Sequence, residues 1–262
     1  MKRFALTFLA LAAIVCAVCW HYREKLAPLV PKVGQAVVAK PKPDAARYAV
    51  LKEEAERWRK DLAKRHAAAR TPEEKEKVLN ETRNFLEKLL PEMMLCWLGT
   101  PWDFHGTAEG PGQGKIACGY FVSTVLRDAG FRVDRYKLAQ QASQNILGSF
   151  LPKESMEVQA GVPYATYAAK LNKAERGVRI VGLDSHVAFI VTGPEGFRFI
   201  HSSGSKPWCV VNESEQDAEV LRRSNYRVQG LLTGDREVLK RWLAGKKIGV
   251  KGDGPATAAA RR

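Results

Sequence analysis

The segment from residue 186 to residue 203 constrains the fold of this chain more than any other, because its pattern predicts a β-hairpin. Two apolar runs, 186–192 and 197–203, flank the turn sequence Gly-Pro-Glu-Gly. Apolar runs of this length on both sides of a short turn are typical of paired antiparallel strands. Similar runs predict three further strands, at Val178–Leu183, Cys209–Asn212 and Tyr226–Leu232. The last third of the chain is therefore expected to form an antiparallel sheet.

The register of this hairpin brings two histidines together. With the turn centred on residues 194–195, Ala188 faces His201 and His186 faces Ser203. Because side chains alternate between the faces of a sheet, His186 and His201 then lie on one face, as diagonal neighbours about 7–8 Å apart at the backbone. The two histidines lie at the end of an otherwise apolar face of the sheet, where they can hydrogen-bond to each other or to a shared partner. The alternative is that one is an ordinary strand residue and the other is exposed.

A cysteine begins the helix predicted at residues 118–130. This segment is amphipathic and ends at Gly130. Unpaired backbone N–H groups and the helix dipole favour an anion in the first turn, so we expect the pKa of the Cys118 thiol to be lowered toward a nucleophilic thiolate. The alternative is a small buried hydrophobic residue at the start of an ordinary helix. A cysteine nucleophile needs a base within hydrogen-bond reach, and His186 and His201 are the candidates.

The N-terminal segment is predicted to target the chain to a membrane. A basic Met-Lys-Arg start precedes an uncharged run from Phe4 to Trp20. The length of this run lies between the apolar core of a signal peptide and the roughly 20 residues of a membrane-spanning helix. Residues 1–26 are therefore predicted to be a signal peptide or an N-terminal membrane anchor. Residues 27–44, rich in Pro and Lys, are predicted to be a semi-extended linker.

Residues 45–91 are predicted to form a helical hairpin. The first helix has one apolar stripe at helical spacing, made of Tyr48, Leu51, Ala55, Trp58 and Leu62. The second helix begins after Thr71, with a capping box closed by Glu74, and is expected to end at Pro91. We expect the hairpin to pack on the domain that follows. A coiled coil that binds a partner is the alternative.

Residues 92–244 make up the predicted main domain. It begins with a loop that extends to residue 117. Helices are predicted at Tyr136–Ile146, Val162–Leu171, Glu213–Arg222 and Asp235–Leu243. Residues 245–262 are basic and rich in Gly and Ala, and are predicted to be a disordered tail.

The charge of the chain favours an anionic neighbour. There are 42 Lys and Arg residues against 28 Asp and Glu residues, a formal charge of +14. Nucleic acid, a phospholipid surface and an anionic cell-wall polymer all carry the opposite charge. Predicted export argues against nucleic acid as the partner, and the N-terminal segment makes the membrane one of the partners.

The state of Cys96 and Cys209 and the presence of a metal are two further questions. Cys96 and Cys209 are expected either to form a disulfide in an exported protein or to be free buried thiols. Zinc could in principle be held by Cys118, His186 and His201. No closely spaced pair of Cys or His ligands anchors such a site, so we predict neither a metal nor a cofactor.

Three segments in this order resemble the NlpC-type papain-fold peptidases of bacterial cell walls. Residues 99–106, Gly-Thr-Pro-Trp-Asp-Phe-His-Gly, are similar to the Gly-Thr-Pro-Tyr-x-x-Gly-Gly loop of that family. Residues 118–131 align without a gap with the family helix that opens Asp-Cys-Ser-Gly. Residues 186–190, His-Val-Ala-Phe-Ile, are similar to the family strand His-Val-Gly-Ile-Tyr, and residues 199–202 to the strand after it. The resemblance covers residues 94–232.

The resemblance implies an α+β, papain-like fold, in which the helix bearing the cysteine packs on an antiparallel sheet and a helical hairpin precedes the domain. It implies Cys118 as the nucleophile, His186 as the general base and then acid, and His201 as the orienting residue. The implied surroundings of the substrate and oxyanion are Trp102, Asp103, Ala117 and Gly119.

The chain departs from the family pattern beside its cysteine. Ala117 replaces an Asp, and Gly119-Tyr120 replaces Ser-Gly. Trp102 lies where a family Tyr often places a hydroxyl near the nucleophile. Without that hydroxyl, oxyanion stabilisation would depend on backbone N–H groups near Cys118.

The implied function is that of a cysteine hydrolase of the cell envelope, either anchored in the inner membrane and facing the periplasm or exported. Its implied substrate is a peptidoglycan stem peptide, cleaved between γ-D-glutamyl and the diamino acid. The same thiol chemistry also serves an amidase, a deamidase or an acyltransferase that acts on protein or lipid. From another class, a catalytically silent module that binds the envelope would use the basic surface and the cleft without the thiol.

Overall fold

The computed structural model describes residues 41–252 of the chain. The predicted signal peptide or anchor, the linker up to residue 40 and the tail from residue 253 lie outside the described residues. Among the helices of residues 41–252, none combines the length and the apolar character that a membrane crossing requires.

Two antiparallel helices open the described chain, α1 (Ala45–Ala68) and α2 (Pro72–Leu95). The predicted capping box of α2 is confirmed: the Thr71 hydroxyl accepts from the Glu74 N–H, and the Glu74 carboxylate accepts from the Thr71 N–H. Four of the five predicted stripe residues of α1 are buried, but Trp58 is 41% exposed. Its ring packs on Phe85 of α2, with ring centroids 5.4 Å apart.

The second helix does not end at Pro91, as the sequence predicted, but runs one further turn to Leu95. Proline removes one backbone N–H and so breaks one helical hydrogen bond. The turn beyond it carries Met93 and Met94, whose side chains are fully buried in the core. Burial of both methionines offsets the missing bond, and the sequence pattern alone does not show that burial.

In the described part of the chain, six strands form one sheet in the order β1-β6-β2-β3-β4-β5, and every pair is antiparallel. The strands are β1 (Glu157–Ala160), β2 (Gly177–Leu183), β3 (Val187–Gly193), β4 (Gly196–Ser202), β5 (Val210–Glu213) and β6 (Tyr226–Leu231). The α+β class and the antiparallel sheet are confirmed. Strand β1 was not predicted, because its four residues, Glu-Val-Gln-Ala, contain no apolar run.

Within residues 41–252, six more α-helices surround the sheet: α3 (Cys118–Asp128), α4 (Arg135–Ala139), α5 (Ser143–Phe150), α6 (Tyr164–Asn172), α7 (Glu219–Arg223) and α8 (Arg236–Leu243). Helix α3 shares a core with Val187, Phe189 and Ile200 on one face of the sheet. On the other face, Ala188, Ile190 and Phe199 pack with residues of α6. The predicted helix over residues 136–146 is instead two helices, α4 and α5, separated by a short turn.

The helical hairpin shares its core with α3 and α8. Trp242 of α8 contacts Phe85 of α2 and donates its indole N–H to the carbonyl of Ala129, at 2.8 Å. The chain after α8 is not a disordered tail as far as residue 252. Ile248 is 3% exposed, and its N–H donates to the carbonyl of Arg132. Two apolar residues, Ile248 and Val250, among Gly and Lys gave too weak a sequence signal for this contact.

Candidate active site

Cys118 is the first residue of α3, and backbone contacts from two sides fix its position. The Ala117 N–H donates to the carbonyl of Gly106 at 2.9 Å, which ties the start of the helix to the preceding loop. On the sheet side, the buried Ser202 hydroxyl of β4 donates to the carbonyl of Ile116 at 2.7 Å. Ala117 caps the helix without a side-chain hydrogen bond, so the N–H groups of its first turn are not satisfied by a cap at that position.

Gly119, the second residue of α3, lies against the end of α4. A Cβ at Gly119 would lie closer than 3.0 Å to the carbonyl oxygen of Ala139, a backbone atom that cannot rotate away. This contact explains why a serine, which the resemblance would place here, is absent. The glycine lets α4 approach the first turn of α3.

The β3–β4 hairpin has the predicted register, with Thr192 opposite Phe197 and Phe189 opposite Ile200. His186, immediately before β3, and His201, within β4, therefore reach the same face. Their rings meet edge to face with centroids 4.8 Å apart, and His186 Nε2 lies 2.8 Å from His201 Nδ1. His201 is fully buried and His186 partly buried. The predicted pairing of the two histidines is confirmed.

A carboxylate that the sequence analysis missed continues this hydrogen-bond chain. Glu213 Oε2 lies 3.1 Å from His201 Nε2, and the Glu213 side chain is 17% exposed. Glu213 was predicted to begin a helix, but it is the last residue of β5, opposite Phe199. Residues opposite each other share a face, so Glu213 lies diagonally beside His201. One further residue in the predicted β5 would have revealed this position.

Cys118 and His186 line the same cavity, which has a volume of about 830 Å³. Trp102, Ala117 and Gly119, three of the predicted surrounding residues, line it as well. His201 does not line it and lies behind His186. Asp103 does not line it either: its carboxylate accepts from the His105 N–H at 2.9 Å and from Lys115 at 3.1 Å, and so shapes the loop instead.

The aromatic wall of the cavity comes from the loop before α3. Trp102 packs on Trp208, with ring centroids 5.4 Å apart, and the backbone N–H of Trp102 donates to the Trp208 carbonyl. Phe104, 74% exposed, and His105 also line the cavity. These side chains give the cavity a broad apolar surface beside the thiol.

The thiol does not titrate as the sequence predicted. Burial raises the pKa of Cys118, although N–H groups of Val187, Gly119 and Cys118 itself partly offset that rise. The helix terminus therefore acts in the predicted direction but is outweighed by desolvation. At neutral pH the resting cysteine is a protonated thiol rather than a thiolate.

His186, His201 and Glu213 form a hydrogen-bonded relay, and burial also sets its acid–base properties. Burial lowers the pKa of His186 to about 3, with a further contribution from His201. Burial alone lowers the pKa of His201 to about 3. Burial raises the pKa of Glu213 to about 7, assisted by the carboxylate of Asp217. Both imidazoles are therefore neutral at pH 7. Since Nε2 of His186 faces His201, Nδ1 is the ring nitrogen of His186 that takes no part in this pair.

The other thiols lie outside this arrangement. Cys96 forms no disulfide, so the alternative of a disulfide between Cys96 and Cys209 is wrong. Burial raises the pKa of Cys96 to about 11. Within residues 41–252, no group of three or more His, Cys, Asp or Glu side chains is placed to hold a metal ion.

Comparisons with protein-family models, with curated proteins and with solved structures return no match for this chain.

Proposed function

We propose that this protein is a cysteine hydrolase of the cell envelope, with a papain-like domain of the NlpC type. The observation that carries the proposal is that Cys118 and His186 line one cavity, while His186 is hydrogen-bonded to His201 behind it. A nucleophile, a base and a group that orients the base are the three parts that thiol catalysis of acyl transfer requires. The order of the three residues along the chain agrees with the family that the sequence resembles.

The neutral resting state of the site favours general-base catalysis. His186 Nδ1 accepts the thiol proton as Cys118 Sγ forms a bond to the carbonyl carbon of an amide. When the tetrahedral intermediate collapses, the C–N bond breaks and the imidazolium gives its proton to the leaving amine. Water then attacks the thioester with His186 again as base, which releases the acid and restores the thiol. Backbone N–H groups at the start of α3 are the candidate donors to the oxyanion.

The proposed substrate is a peptidoglycan stem peptide, and the proposed bond is the one between γ-D-glutamyl and the diamino acid. A cavity of about 830 Å³ has room for several residues of such a peptide. A formal charge of +14 suits an anionic envelope. The basic start and the apolar run from Phe4 to Trp20 support an inner-membrane-anchored protein that faces the periplasm, or an exported one.

The test is digestion of purified peptidoglycan and defined muropeptides, followed by mass spectrometry. The proposal predicts new stem-peptide fragments with the wild-type protein and none with Cys118→Ala. Cys209→Ala, which changes a thiol that does not line the cavity, is the matched control and should digest as the wild type does. Identical fragments from wild type and Cys118→Ala would refute the proposal. Binding without cleavage by both proteins would point to a silent envelope-binding module.

A further inference from the structure

The hydrogen-bond chain does not stop at His201, where the three-residue mechanism ends. His186 Nε2 bonds to His201 Nδ1, and His201 Nε2 lies 3.1 Å from Glu213 Oε2. Both nitrogens of the buried His201 ring are therefore engaged, one by a second imidazole and one by a carboxylate. The proposed mechanism assigns no part to Glu213.

We propose that Glu213 is a positioning residue whose ionised carboxylate fixes the tautomers of both imidazoles, so that its protonation switches His186 from proton acceptor to donor. The inference rests on the proposed function, because it concerns the base of the same site. It adds a regulatory group whose effect reaches the thiol through two rings.

When Glu213 is ionised, the donor and the acceptor in each hydrogen bond of the relay follow from the protons that each group carries. A carboxylate can only accept, so His201 Nε2 carries the proton and donates to Glu213. Neutral His201 then has a lone pair on Nδ1, which accepts from His186 Nε2–H. Neutral His186 in turn has its lone pair on Nδ1, the nitrogen that remains for the thiol. In this state His186 can act as a base.

Protonation of Glu213 exchanges donor and acceptor in both hydrogen bonds, His201–Glu213 and His186–His201. The carboxylic acid donates to His201 Nε2, so the His201 proton moves to Nδ1 and donates to His186 Nε2. His186 must then carry its own proton on Nδ1. That nitrogen becomes a donor and can no longer accept the thiol proton. One proton at Glu213 thus removes the base without charging either ring.

The charges around Glu213 place this switch near neutral pH. The pKa of Glu213 is raised to about 7, first by burial and then by Asp217 and Glu219, while Arg198 opposes the rise. His201, neutral because it is buried, contacts the same carboxylate, and the Tyr164 hydroxyl lies close enough for Glu213 to raise its pKa. Glu213 ionises as the pH rises through this value, so the site is off in mild acid and on above neutrality.

The experiment measures the rate of Cys118 alkylation by iodoacetamide between pH 5 and pH 9, with peptide mass mapping. This readout needs no substrate. The wild-type rate should rise through a step near pH 7. Glu213→Gln, which keeps the shape and removes the titratable proton, should abolish the step, because an amide does not titrate in this range. Glu213→Asp keeps a carboxylate and should retain the step at a lower plateau.

Two neighbouring variants shift the step in opposite directions and leave the relay intact. Asp217→Asn removes a charge that raises the Glu213 pKa, so the midpoint should move to lower pH. Arg198→Gln removes the opposing charge, so the midpoint should move to higher pH. Both variants should reach the wild-type plateau.

The outcomes separate this inference from the proposed function. Alkylation that is much slower in His186→Ala but unchanged in rate and pH profile in Glu213→Gln would overturn the relay and leave the Cys118–His186 pair in place. Alkylation that does not depend on His186 would overturn the proposed function itself. If Glu213→Gln does not fold, an unmoved midpoint in both Asp217→Asn and Arg198→Gln overturns the relay.

Discussion

Replacement of Gly119 by alanine tests how tightly α3, the helix that begins at Cys118, is packed. The new Cβ would lie closer than 3.0 Å to the carbonyl oxygen of Ala139, and 3.2 Å and 3.4 Å from its carbonyl carbon and Cα. All three are backbone atoms, so α3 and α4 must separate. Overpacking of this kind costs about 1–3 kcal/mol. Alanine recovers up to about 1 kcal/mol in helix propensity, less at a helix end, which leaves a net loss of about 1–2 kcal/mol.

Gly148, inside α5, provides the matched control. A Cβ there would meet only the side chain of Lys251, with the Cδ at 2.9 Å and the Nζ at 3.1 Å. A lysine side chain can rotate away, so Gly148→Ala should gain up to about 1 kcal/mol from helix propensity. The free energies of unfolding are measured by guanidinium denaturation. Equal changes in the two variants, or a stabilised Gly119→Ala, would refute the packing that we describe.

Three further predictions concern the same site. His201→Ala should reduce turnover less than His186→Ala, because His201 acts through His186; equal losses of turnover would contradict that order, and equal losses of folding would indicate a structural role for both. Burial lowers the pKa of His201 from 6.5 to about 3, so the unfolded chain takes up a proton that the native state does not. Stability that is present above pH 6.5 is therefore lost as the pH falls toward 3, by up to about 1.4 kcal/mol per pH unit, and chemical denaturation of His201→Gln should show a shallower acid decline than the wild type. Ser202→Ala removes the buried hydroxyl that donates to the carbonyl of Ile116 and should cost about 1–3 kcal/mol in denaturation; no loss would mean that this bond does not fix the start of α3.

Local rules predicted the parts of the fold that local contacts determine. The capping box of Thr71 and Glu74 spans only four residues of the chain, and the structure has it. The hairpin turn alone set the register that pairs His186 with His201. Both features depend on backbone geometry within a few residues, so the sequence was sufficient.

Features that depend on distant packing were not predictable in the same way. The helix continues through Pro91 because Met93 and Met94 are buried by other elements. Glu213 becomes part of the site through its pairing with β4, and the apolar run that predicted a strand at 209–212 ends one residue before it. Ile248 is ordered by a hydrogen bond to Arg132, more than a hundred residues earlier in the chain.

The direction of the Cys118 pKa shift also depends on distant packing, so the sequence did not predict it. The helix terminus is visible in the sequence and favours the thiolate. Desolvation depends on how the loop, helix and sheet close around the sulfur, and it raises the pKa by more than the N–H groups lower it. Under the proposed mechanism the thiol therefore depends on a base, and His186 matters more than the helix dipole.

The most direct test of the central claim is the relative rate at which Cys118, Cys96 and Cys209 are alkylated at pH 8 in the wild type and in His186→Ala. Cys96 is a buried internal reference, because burial raises its pKa to about 11. If His186 is the base for Cys118, the wild-type protein should be modified at Cys118 at least tenfold faster than at either other cysteine. His186→Ala should lose that preference while still folding. Modification of Cys118 that is no faster than that of Cys209, or that is unchanged in His186→Ala, would contradict the account.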